Sequence, residues 1–147
     1  MQGRNVPNFG QFVPREKSRM NRAAYMAETK GMAEALERRL ILVRGHTQES
    51  ARSLIAEQIG CSPGTLVSLS KSRLKGFNGW MKERLRFALI EEFEQEVEAI
   101  AHELEKLKQS GSEPDCLEIQ EIEACLETAR QKLAQALRQT MATRSRR

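Results

Sequence analysis

Apolar residues recur at three- and four-residue steps through most of the chain, the spacing of amphipathic helices, and the runs are separated by glycine, proline, serine and asparagine. Met20, Ala24, Ala27, Leu36, Leu40 and Val43 predict helix from Ser18 to Arg44, with Gly31 as the point where it could break and 32–44 as the supporting part. Ile55, Ala56 and Ile59 share one face of a second helix, Thr47 to Ile59, and Leu66 and Leu69 form the apolar face of a third, Ser62 to Leu74. Phe77 and Trp80 are expected to close the core of this trihelical unit.

Beyond Asn78, which can cap a new helix, the pattern changes. Ile90, Phe93, Val97, Ile100, Leu104 and Leu107 step by three or four residues, as a coiled-coil seam does, and predict helix to about Gln109. The segment 110–114, SGSEP, reads as a turn, and Asp115 followed by Glu118 resembles a capping box. A second seam follows at Ile119, Ile122, Leu126, Ala129, Leu133 and Ala136, with Leu137 beside it. Two seams joined by a short turn predict a long antiparallel hairpin with arms of about 45 and 40 Å. The expected fold is therefore all-α, an N-terminal trihelical unit followed by a helical hairpin.

The junction of the second and third helices carries the sharpest local signals. Gly60 suits the left-handed conformation that ends a helix, Ser62 can cap the next with Pro63 at its first position, and Ala56 is small where the helices would cross. This is a helix-turn-helix arrangement, which predicts DNA binding. On that reading Ser62, Gly64, Thr65, Val67, Ser68 and Lys71 face the duplex, while Thr47, Arg73, Lys75 and Lys82 hold phosphates. The same stretch, through Arg44-Gly45, Thr47, Ile55-Ala56, Gly60-Cys61-Ser62 and Gly64-Thr65-Leu66, resembles the DNA-reading segment of TetR-type repressors. The resemblance spans about residues 35 to 75 and implies sequence-specific recognition of duplex DNA; the rest of the chain follows another plan.

Charge is segregated along the chain. Residues 1–90 hold 16 Lys and Arg against 7 Asp and Glu, residues 91–127 hold 2 against 13, and residues 128–147 hold 6 against none. The helix-turn-helix lies in the first basic block, as phosphate neutralisation requires, and the acidic block falls on the hairpin, away from any duplex. One hairpin buries only one side of each helix, and Met81, Leu85, Phe87, Leu89, Cys125 and Met141 lie off or beyond the seams. A homodimer is expected to cover them and to present two reading heads on a two-fold axis. The hairpin residues expected to carry packing and dimerisation are Phe93, Val97, Ile100, Leu104, Ile119, Ile122, Leu126 and Leu133.

The remaining features set limits. Cys61, Cys116 and Cys125 have no paired metal-ligand spacing, so no metal or cofactor is expected, and Cys61 reads as a core filler. His46 and His102 are isolated, no nucleophile and base pair or phosphate loop is present, and catalysis is not expected. The chain shows neither a membrane-spanning run nor a secretory core, which points to the cytoplasm. The expected plan is a flexible basic arm (1–17), a DNA-binding unit (18–77), a hairpin for dimerisation or partner docking (78–143) and a basic tail (144–147). The expected function is that of a dimeric transcriptional regulator; the alternative is an accessory DNA-binding protein of a conjugation, packaging or replication complex whose acidic hairpin docks a protein.

Overall fold

A computed structural model describes residues 15–111 and 116–145 of the chain. These form five helices and no strand: α1 (Arg15–Leu42), α2 (Gln48–Ile59), α3 (Pro63–Ser70), α4 (Gly79–Gln109) and α5 (Cys116–Ser145). Most of the arm, the capping residue Asp115 and the last two residues of the tail lie outside the described residues. Among the helices, none is long and apolar enough to cross a membrane.

The helix α1 runs unbroken through Gly31, although a helical glycine costs about 1 kcal/mol relative to alanine. Packing offsets that cost, because Leu36 and Leu40 enter the central core and Met26, Met32 and Ala33 lie against it. The core is completed by Ala51, Ile55, Ala56 and Ile59 of α2, Leu66 and Leu69 of α3, and Leu85 and Ala88 of α4. Leu36, Ile55, Ile59, Leu69 and Leu85 are almost wholly enclosed, and burial of each such side chain stabilises by about 1.5–3 kcal/mol.

Leu85 and Ala88 alter two expectations. The unit expected to end at residue 77 takes its last wall from the first three turns of α4, so the head extends to about Ala88 and shares one continuous helix with the hairpin. Leu85, expected to be covered by a second copy, is covered by its own chain. Ion pairs fasten the same junction: Arg39 of α1 pairs with Glu96 of α4, and Arg44 lies 3.1 Å from Glu92. Arg39 also stacks 4.0 Å from the centre of the Phe93 ring.

Helices α4 and α5 form the expected hairpin. Lys108 pairs with Glu123 near the turn and Glu98 with Arg130 further away, so residue numbers fall on one arm as they rise on the other, as antiparallel packing requires. Its seam is closed by Ile90, Leu104 and Leu126, with Phe93, Val97, Ile119 and Leu133 half-buried. Ile100 and Ile122 remain 45% and 43% exposed, so one hairpin leaves part of its apolar surface uncovered.

Candidate nucleic-acid interface

The two helices of the candidate reading head are fixed by local capping. Thr47 precedes α2 in extended conformation and its hydroxyl accepts from the Ser50 amide at 3.2 Å; Ser62 does the same for α3, accepting from Thr65 at 3.3 Å, with Pro63 at the first helical position. Between them Gly60 adopts φ +78°, and the amides of Gly60 and Cys61 both donate to the Ala56 carbonyl at 2.9 Å. The Ala56 side chain is buried where α2 meets its neighbours. Burial pushes the Cys61 thiol up, so it stays protonated and fills space beside the core.

The third helix is shorter than its apolar pattern predicts and stops at Ser70 rather than Leu74. The Ser70 hydroxyl donates to the Val67 carbonyl at 2.8 Å, the Ser72 amide donates to Leu69 at 3.0 Å and the Arg73 amide to Ser68 at 2.8 Å. This is a Schellman closure with Ser72 at the left-handed position, φ +56°, where glycine is the usual residue. A serine there carries no sequence signal for a helix end. Arg73 and Lys75 therefore lie on the segment after the helix rather than on it.

The turn is held by side chains that the sequence pattern did not single out. The Tyr25 hydroxyl donates to the Phe77 carbonyl at 3.0 Å, and Lys30 reaches the Ser72 hydroxyl at 3.1 Å, both from α1. Leu74 and Phe77 pack against the core beneath. Above it, Lys71, Arg73 and Lys75 are exposed and make no ion pair with a described residue.

Helix geometry sorts the residues of α3. Leu66 and Leu69 face the core, which turns Gly64, Val67, Ser68 and Lys71 to the opposite side, while Thr65 lies at the edge with its hydroxyl 3.0 Å from that of Ser62. Thr47 and Ser62 are both exposed, but their hydroxyls serve the helix ends.

Lys82, expected at the phosphates, is elsewhere. Its side chain is 8% exposed, its ammonium lies 2.8 Å from Glu28 and 3.8 Å from the centre of the Tyr25 ring, and it joins α4 to α1. Arg86 meets the other oxygen of Glu28 at 2.9 Å. The Lys82 hydrogen bond holds the Glu28 carboxyl below the usual carboxylate range, against a smaller opposing effect of burial, and Arg86 adds to the lowering.

The basic block read from the sequence is thus partly neutralised inside the fold. Arg39, Arg44, Arg52, Lys82 and Arg86 all have carboxylate partners, whereas Lys71, Arg73 and Lys75, exposed in the segment that follows α3, have none among the described residues. No cluster of His, Cys, Asp and Glu suited to a metal exists among the described residues. Comparison with family models, curated proteins and solved structures yields no match.

Proposed function

We propose that this chain binds duplex DNA through the α2–α3 pair and acts as a dimeric transcriptional regulator. The observation that carries the reading is the group Lys71, Arg73 and Lys75, exposed, without an ion-pair partner among the described residues and fixed on a tethered turn at the end of a helix whose outward side bears small residues. Eight residues make α3 about 12 Å long, comparable to the width of the major groove. Gly64 and Ser68 permit close approach, Val67 and Thr65 offer methyl groups to thymine, and the three cations neutralise phosphates.

Titration of the full chain with random and genomic duplexes at two salt concentrations tests this. Replacing Lys71, Arg73 and Lys75 together by alanine is expected to weaken binding to every sequence and to reduce the salt slope by about one unit per lost contact. An unchanged affinity would remove the reading head. Protection of a short palindrome supports a regulator; binding confined to an origin or packaging site supports an accessory role.

A further inference from the structure

The hairpin carries an apolar depression of about 610 Å³ between its arms, walled by Val97, Ile100, Ile122, Cys125, Leu126 and Ala129 and rimmed by Glu118 and Glu121. It adjoins a second one, of about 460 Å³, through Ile100, where Val43 at the end of α1 is 61% exposed. Together they form one apolar band across α1, α4 and α5, of the kind that marks an interaction surface.

The charges of α5 indicate what lies against it. Its first twelve residues contain Glu118, Glu121, Glu123 and Glu127 and no basic residue; the rest contain Arg130, Lys132, Arg138 and Arg144 and no acidic one. Glu123 and Arg130 are neutralised across the hairpin by Lys108 and Glu98. Glu121 and Lys132, by contrast, are exposed and have no ion-pair partner among the described residues. They are eleven residues apart, close to three helical turns, so they lie on one face with Cys125 and Thr128 between them.

We propose that a second copy of this chain packs along the edge of the band formed by Glu121 and Cys125, with the two α5 helices antiparallel about a two-fold axis between Leu126 and Glu127. That register sets Glu121 of one copy opposite Lys132 of the other, twice by symmetry, and places Cys125 opposite Thr128, where small side chains let the helices approach. A parallel arrangement would set Glu118 and Glu121 against themselves. The assignment rests on the dimer proposed above and adds its surface, direction and charge pairing. It also sets the heads at opposite ends of the pair: the head end of α5, near Thr140, lies about 20 Å from the axis along the helix.

Sedimentation equilibrium of the full chain, with circular dichroism to confirm helicity, tests the pairing by charge reversal. The wild type is expected to be a dimer, Glu121→Lys and Lys132→Glu each to weaken it by at least about tenfold at low salt, and the double reversal to restore it. A monomeric wild type, single reversals without effect, or a double reversal that stays monomeric would each overturn the proposal. DNA titration separates the two readings. A dimer of the expected behaviour that ignores DNA removes the reading head alone, and a monomer that binds DNA through Lys71, Arg73 and Lys75 removes this interface alone.

Discussion

The indole of Trp80 lies across Gly60, so close that a Cβ on Gly60 would stand 3.2 Å from Cη2 of the ring. Two requirements therefore meet at one glycine: φ is +78°, which β-branched residues avoid, and the space a side chain needs is filled by Trp80 with Arg84 stacked on it. Gly60→Val is expected to cost about 2–3 kcal/mol from backbone strain and overpacking, read as a lower midpoint in denaturant unfolding. In a Trp80→Ala background the cost of Gly60→Ala should fall, because the tightest contact is removed while the backbone part remains. Equal costs in both backgrounds would show that the ring does not restrict the turn.

Ser72 offers the converse. Its φ of +56° is strained for serine and natural for glycine, and its hydroxyl makes only an exposed contact with Lys30. Ser72→Gly is expected to leave stability unchanged or raise it by up to about 1 kcal/mol, whereas Ser72→Val should lower it. Thermal unfolding of the pair decides the sign.

The Glu28 carboxylate contributes stability through Lys82 and Arg86. Because its folded pKa is lowered, that contribution is present above the ordinary glutamate value and is lost as pH falls through the lower folded value. Glu28→Gln should destabilise the chain at neutral pH by about 1–2 kcal/mol, less than for a fully buried pair because the Glu28 side chain is 53% exposed. The gap between wild type and variant should close in acid. A gap independent of pH would assign the loss to packing.

Truncation reads where the head ends. A chain stopped at residue 77 lacks Leu85 and Ala88, opens the core on the side that α4 closes and should not fold cooperatively. A chain stopped at residue 90 keeps both and should unfold cooperatively, at a lower temperature because Glu92, Phe93 and Glu96 no longer meet Arg44 and Arg39. Circular dichroism melting of the two distinguishes them.

Tyr25→Phe removes the hydroxyl that holds the Phe77 carbonyl and keeps the ring over Lys82. A loss of about 1 kcal/mol is expected, with faster amide exchange across residues 71–77 and slow exchange retained in α2. Uniform acceleration would show that the bond supports the whole head rather than the turn.

What the sequence determined by itself was local. The apolar periods place five helices, Ser62 and Asn78 cap the ends expected of them, and Gly60 takes the left-handed turn, because each depends on residues no more than four apart; Thr47, expected inside the second helix and at the phosphates, is its cap instead. The tertiary structure decided what depends on distant partners. Lys82 and Arg86 lie 54 and 58 residues from Glu28, and Arg44 lies 48 from Glu92, so no count along the chain shows that these cations are neutralised while Lys71, Arg73 and Lys75 meet no carboxylate among the described residues. Leu85 lies off the hairpin seam and its position along the chain does not show what covers it; it enters the head because α4 is one continuous helix that packs on α1 and α2 as well as on α5. The end of α3 at Ser70 was hidden for a related reason: a left-handed serine becomes tolerable only where Lys30, Tyr25 and the packed Leu74 and Phe77 hold the turn in place.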